Sequence, residues 1–272
     1  MRRQWHPLLA QFLREDYNDR LSIKDSLKLG RMPLEMDLLI TPSVPTTQLP
    51  YPFMYLGETT TLAELKGPGD TAIWEDLAQI ESYACLYQKR DESKIEDRSQ
   101  ITLWLISSKF SENFNQPPGD YIENLTSVGE GVSGGSLAKF PIYLIDLGEL
   151  PITLDTIPLL MVYEDRKERE KEIIRFVIEH YDELRKYGSF LFTLHIRALK
   201  EVLEEMDLRN LRGLELDVPG IIDLLGLDRI VETAGKNKLI QKIGPEEAIE
   251  IASLYLTRER IEELLDKKKK VD

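Results

Sequence analysis

The chain has 272 residues, with 48 acidic and 35 basic side chains, a formal charge of −13 and 42% hydrophobic residues. That mix is globular, and it argues against a protein that coats nucleic acid by bulk attraction, which needs a positive surface. The single cysteine, Cys85, excludes a disulfide framework and a cysteine-based zinc or iron–sulfur centre within one chain. No apolar run approaches the ~20 residues of a membrane span. The first apolar stretch is broken by Gln11 and Arg14, so it does not read as a signal peptide. A cytoplasmic protein with no membrane partner is the expectation.

Taken in order, residues 5–16 carry Trp5, Leu8, Leu9, Phe12 and Leu13 at helical spacing. Leu21, Ile23, Leu27 and Leu29 then mark extended chain, Gly30–Pro33 a turn, and Leu34–Ile40 a strand. Pro42, Pro45, Pro50 and Pro52 make the next stretch neither helix nor central strand. Thr59–Lys66 is a β-branched, apolar strand. In residues 71–89, Ile73, Leu77, Ile80, Ala84 and Tyr87 form one buried helical stripe. Cys85 reads as a small buried hydrophobe in that helix.

Ile101–Ile106 is a continuous apolar run, which suits a central strand. Residues 109–139 show little periodicity, and Gly129–Gly135 reads as a mobile surface loop. Pro141–Leu147 is a further strand. From about residue 164 the composition turns helical, with long helices expected over 164–187 and 190–206. Shorter ones are expected over 219–225, 228–234, from Pro245 onward and over 257–268. The domain expectation is therefore a core over 1–160 and an all-helical C-terminal region over 161–272.

Residues 33–83 carry the chemistry. Strand alternation puts Glu35 and Asp37 on one face of Leu34–Ile40, and Glu64 and Lys66 on one face of Thr59–Lys66. Neighbouring strands can thus present Asp37, Glu64 and Lys66 together. The carboxylates are hard oxygen ligands suited to Mg²⁺ or Mn²⁺, and polar residues in otherwise apolar strands need a reason. Gln79 and Tyr83, four apart on the following helix, face the same way. Taken alone, each of these features also fits an ordinary polar surface pair.

Asp37, then Glu64-Leu65-Lys66 after 26 intervening residues, resembles the PD-(D/E)xK nuclease superfamily, with Pro33 four residues before Asp37. The stretch Gln79-Ile80-Glu81-Ser82-Tyr83 is similar to the QxxxY element of its RecB-type branch. The resemblance covers roughly residues 5–147. More loosely, Leu224–Ile230 and Gly244–Glu247 look like the Rpn/transposase-type nucleases.

The resemblance implies an α/β fold with a restriction-endonuclease-like αβββαβ core on a mixed sheet. It implies metal-dependent hydrolysis of phosphodiesters, with DNA as the partner and RNA as the alternative. Asp37, Glu64 and the Leu65 carbonyl would hold Mg²⁺ or Mn²⁺, and Lys66 would position the attacking water. Gln79 and Tyr83 would steady substrate or bound water.

A further first-helix acid is expected, Glu15 ahead of Asp16. Glu35 is an additional carboxylate on the same strand face as Asp37. Some RecB-type enzymes use a histidine at the position of His6, but a helix-start or surface role is the favoured reading. His180 and His195 lie in the helical tail outside any Asp and Ser pattern that would make a hydrolytic triad. The lysines at 267–270 suit a solvated helix end. Trp74 and Trp104 are expected in the core.

The alternatives are a catalytically silent binding or scaffold protein of the same fold, and an end-dependent exonuclease. Homodimerisation through the C-terminal helices is also expected. Cleavage of DNA by so acidic a chain demands cations near the site, and Lys28, Arg31, Lys66 and Lys139 are the candidates.

Overall fold

A computed structural model describes residues 5–28, 35–67, 69–90, 95–116 and 121–205. Leu9, Phe12 and Leu13 are fully buried along one stripe of α1 (His6–Tyr17), and Pro7 stands in its first turn, where a missing N–H costs nothing. The chain then enters β1 (Leu21–Lys28) and turns back as β2 (Glu35–Pro42), antiparallel to it. The turn expected at Gly30–Pro33 lies outside the described residues. The proline-rich stretch forms two short 3-10 turns, Thr46–Gln48 and Phe53–Tyr55. Fully buried Phe53 anchors it, with ring centroids 4.5 Å from Tyr17 and 6.0 Å from Trp104.

β3 (Thr60–Leu65) runs antiparallel to β2, α2 (Trp74–Gln88) crosses over, and β4 (Ile101–Ser107) lies parallel to β3. Every residue of β4 is buried, as its unbroken apolar run demands of a central strand. A hairpin of β5 (Glu123–Gly129) and β6 (Val132–Leu137) leads into β7 (Phe140–Asp146), which is parallel to β4. The result is a seven-stranded mixed sheet in the order β1-β2-β3-β4-β7-β6-β5.

Helices pack on both faces. Leu77, Ile80 and Ala84 of α2 bury against Leu39, Leu62, Leu103, Leu105 and Ile142. Each such large side chain contributes about 1.5–3 kcal/mol on leaving water. Trp104 points the other way, toward Phe53 and the α1 side, with its indole N–H donating to the Tyr55 carbonyl at 3.2 Å.

Four expectations are corrected. Residues 129–135 belong to the β5–β6 hairpin rather than to a loop. Gly131 makes its turn at φ +69°, and a Cβ on Gly135 would stand 2.6 Å from Ile122, so small residues are what lets the strands close. Helix α2 begins three residues later than expected, which leaves Ile73 and Trp74 exposed. Cys85 is half-buried at the edge of the α2 core.

The fourth concerns the long helices. The one expected over 164–187 is broken at His180 (ψ 34°) into α4 (Lys167–Glu179), α5 (Tyr181–Leu184) and a 3-10 turn (Arg185–Tyr187), after a short α3 (Ile157–Leu160). Tyr181, Leu184 and Tyr187 are all buried at steps of three, the 3-10 period, which a continued α-helix would splay apart. The helix expected over 190–206 is likewise divided into α6 (Gly188–Leu194) and α7 (Ile196–Glu205).

Met1–Gly188 forms one compact unit and Ser189 begins a second, so residues 161–188 go with the sheet. In the second, α7 buries Ala198, Leu199, Val202 and Leu203 along one face. The helices expected after residue 206, the Rpn-like segments and the terminal lysines lie outside the described residues.

Candidate functional site

The sheet register builds the site. Leu39 pairs with Leu62 and Leu38 with Ala63, and one further step of that register sets Asp37 opposite Glu64. Directly opposed residues share a face with Cβ atoms about 5 Å apart. That face is the one covered by α2, because Leu39 and Leu62 pack against it. The Leu65 N–H donates to Asp37 Oδ2 at 2.9 Å, which ties the strand end to the carboxylate. Lys66 follows, its own N–H held by the Ile106 carbonyl at 2.9 Å.

The helix supplies the other wall. Asp76, Gln79 and Tyr83 fall at i, i+3 and i+7 on α2, one stripe facing the sheet. Gln79 Nε2 donates to the Tyr83 hydroxyl at 2.8 Å and to Glu64 Oε1 at 3.3 Å. Lys66 Nζ lies 2.6 Å from Asp76 Oδ1 and 3.7 Å from Glu64 Oε1. Asp76 is itself fixed, since its Oδ2 accepts from the Ile73 N–H at 2.8 Å. From the opposite direction, His6 at the start of α1 brings Nδ1 to 3.1 Å from Asp37 Oδ1.

Burial and crowding dominate the electrostatics. Burial, then the neighbouring Asp37, pushes the Glu64 carboxyl up to about 8, against the pull of Lys66. Burial also raises Asp37, opposed by the Leu65 N–H, His6 and Lys66. Burial alone would lower the Lys66 ammonium, but its bond to Asp76 and the charges of Glu64, Asp76 and Asp37 leave it above the ordinary lysine value. Tyr83 is raised, mainly by burial. Lys66 therefore remains a cation at neutral pH, suited to hold an anion or orient water rather than to take a proton.

Glu64 Oε2 is buried and has no hydrogen-bond partner. A buried carboxylate oxygen in that state is costly unless a proton or cation meets it. The donor set of Asp37, Glu64 and the Leu65 carbonyl is oxygen only, which fits a hard divalent cation. Among the described residues, no group of three or more His, Cys, Asp and Glu side chains is arranged to hold a metal. A cation here would rest on two carboxylates, with backbone and water completing its shell.

The structure thus brings Asp37, Glu64, Leu65, Lys66, Gln79 and Tyr83 together. It does not bring Glu15, which accepts from Gln11 Nε2 at 2.9 Å on the exposed side of α1 and stands about 13 Å along the helix from His6. Glu15 instead lines a hollow of about 400 Å³ with Asp16, Asp19, Asp155 and Lys186, away from the paired carboxylates. Asp16 is engaged there by the Tyr187 hydroxyl and Lys186. Glu35 is exposed at the first position of β2.

Of the expected cations, Lys139 lies in the β6–β7 turn, at the sheet edge opposite the C-terminal end of β3. Arg31 lies outside the described residues. Two further residues are in the cluster: His6, which stands at the start of α1 and also contacts Asp37, and Asp76, which sequence reasoning passed over. The i, i+3, i+7 relation of Asp76 to Gln79 and Tyr83 was the available signal.

Comparison with protein-family models, curated proteins and solved structures gave no match to this chain. No helix among the described residues is long and apolar enough to cross a membrane.

Proposed function

We propose that this chain is a divalent-metal-dependent nuclease that hydrolyses DNA phosphodiesters. On this reading the α/β sheet with α1 and α2 is a restriction-endonuclease-like core of the PD-(D/E)xK kind. The observation that carries it is Glu64: a buried carboxylate opposite Asp37, with one oxygen left without a partner and an ammonium 3.7 Å from the other.

Asp37, Glu64 and the Leu65 carbonyl would hold Mg²⁺ or Mn²⁺, which when bound lowers the pKa of a coordinated water and offsets charge on the phosphate. Lys66, kept protonated by Asp76, orients that water or meets the developing phosphorane charge. Gln79 holds Glu64 and Tyr83 in register. His6 braces Asp37 from the far side.

The test is cleavage of supercoiled plasmid, linear DNA and RNA with Mg²⁺ or Mn²⁺. Wild type should nick DNA, and Lys66→Ala and Asp37→Ala should abolish nicking while remaining folded. Intact DNA under every metal and substrate condition would end the proposal. A covalently closed circle that survives while linear DNA is degraded would make it an end-dependent exonuclease.

The direct Lys66–Asp76 ion pair of 2.6 Å favours a second reading, a binding or scaffold protein whose charges merely satisfy one another. Calorimetric titration with Mn²⁺ separates the two, since that reading expects no binding at Glu64.

A further inference from the structure

We propose that the cleft between the β5–β6 hairpin and the segment after β4 is a second site, which binds a guanine base. Its volume is about 320 Å³, at the lower end for small-molecule sites, which holds one base rather than a helix or a duplex. Phe110, Phe114 and Leu144 form the apolar side of the cleft. Ser127 and Ser133 line it from the hairpin, and Asp146 stands at the end of β7.

The sheet register fixes where the cleft lies. Glu64 pairs with Leu105, Leu105 with Leu144, Leu144 with Ser133 and Ser133 with Ser127. These five residues form one row across the face that α2 covers, since Leu105 and Leu144 belong to the core beneath that helix. Asp146, two residues beyond Leu144, is on the same face. Two strand spacings, about 10 Å, separate Glu64 from Leu144, so the cleft is distinct from the paired carboxylates. Its aromatic wall is anchored to the approach to α2. Ala72 donates to the Lys109 carbonyl at 2.9 Å and accepts from the Ser111 N–H at 3.0 Å, which clamps the backbone at Phe110.

The lining selects a flat, uncharged ligand. Phe110 and Phe114 stand near-perpendicular, with ring centroids 5.0 Å apart. An aromatic plate in that corner meets the face of one ring and the edge of the other, both favourable contacts. On the hairpin side Gly129 and Gly131 offer backbone without side chains, which lets a flat ring lie close. Among the described lining residues there is no lysine or arginine, so the cleft suits a base and not its phosphate.

Asp146 narrows the choice of base. It accepts from the Gly148 N–H at 2.8 Å through one oxygen, and a carboxylate has capacity for further donors. Burial, against the pull of Gly148 and Arg166, raises its carboxyl above the ordinary aspartate range, the mark of a carboxylate short of donors. Glu149, the other acid of the lining, is paired with Arg166 at 2.8 Å. Guanine presents its ring N–H and exocyclic amine side by side, two donors for one carboxylate, with a carbonyl oxygen next to them for a serine hydroxyl. A guanidinium offers the donors but no acceptor for the serines, so the base fits better.

Calorimetric titration in EDTA tests this, so that no metal at Glu64 contributes. The ligands are GMP, IMP and a dT pentamer carrying one central guanine or one central hypoxanthine, which lacks the exocyclic amine. Guanine should bind at least tenfold more tightly than hypoxanthine, the least that a hydrogen bond to a charged group supplies. Asp146→Asn retains a carbonyl for the Gly148 N–H and should abolish that preference. Phe110→Leu keeps an apolar side chain and should weaken guanine binding on the order of tenfold, with unchanged melting temperatures. Binding of GMP assigns the cleft to a free nucleotide, and binding of the pentamer alone assigns it to a base within nucleic acid; either supports the site.

Equal affinity for guanine and hypoxanthine, indifference to Asp146→Asn, or no binding of either form overturns the proposal. Agmatine binding that Asp146→Asn removes, with GMP rejected, overturns it in favour of a guanidinium site. Cleavage of DNA does not enter these outcomes, so the nuclease reading stands or falls separately.

Discussion

Glu64 is held in the folded protein with a pKa of about 8, far above an ordinary glutamate, because it is buried against Asp37. The consequence for stability has a definite sign. Between the ordinary glutamate range and about pH 8 the folded state binds the proton that the unfolded state has released. The stabilising contribution is therefore complete below the ordinary range and is lost as pH rises through about 8. In chelator, the melting temperature of wild type should fall relative to that of Glu64→Gln between pH 5 and pH 8. Parallel curves for the two proteins would contradict the burial of an ionisable carboxyl at this position.

Lys66 makes the opposite case, a cation stabilised by the acids around it. Lys66→Ala should destabilise the fold by about 1–3 kcal/mol, read by urea unfolding, because it leaves buried Asp76 without its counter-ion. Strand alternation and helical spacing sufficed to place Asp37, Glu64, Lys66, Gln79 and Tyr83 on common faces. His6 and Asp76 were not legible in the same way. Histidine at a helix start and aspartate in a first turn are common for local reasons, and only the packing of α1 and α2 around the strand ends gives them a second role.

At the scale of elements, α2 couples core and site. Its Leu77–Ile80–Ala84 stripe buries against the sheet, and that contact sets the height at which Asp76, Gln79 and Tyr83 meet Glu64. Ile80→Ala should cost about 2–5 kcal/mol in denaturant unfolding, the range for a large buried side chain truncated in place. A loss below 1 kcal/mol would mean that α2 packs more loosely than the burial of Ile80 implies.

The β5–β6 hairpin gives a second test. Gly131 combines φ +69° with a backbone so close that a Cβ would stand 2.5 Å from the Leu150 nitrogen. Gly131→Ala should therefore destabilise by more than 1 kcal/mol, where the same change at an open site with negative φ would be neutral or stabilising. This hairpin was illegible from composition, since glycine and serine are poor strand formers whose use here depends on what packs over them. The breaks at His180 and before Ile196 were hidden for a related reason. Helical periodicity reports an apolar face, while a change of turn period depends on the surface that the face must meet.

For the whole molecule, the charge of −13 is the relevant quantity. Part of the acidity is spent at the paired strands, where a divalent cation would convert it into an anion-attracting centre. Mn²⁺ at a hundred times its dissociation constant should stabilise wild type by about 2.7 kcal/mol, visible as a raised melting temperature. Asp37→Ala and Glu64→Ala should remove that rise. If Mn²⁺ raises the wild type and both variants equally, it binds elsewhere, the acidic hollow at Glu15 and Asp16 being one such place.

By itself, the sequence determined the α/β class, the central place of the Ile101–Ile106 strand, and the faces on which the candidate residues stand. These follow from local periodicity, because a strand alternates and a helix repeats whatever surrounds it. Only the tertiary structure decided the order and direction of seven strands, the closure of the glycine-rich hairpin, the removal of Glu15 from the cluster, and the arrival of His6 and Asp76. Those features depend on which distant segments pack together, and burial, not spacing, sets that choice.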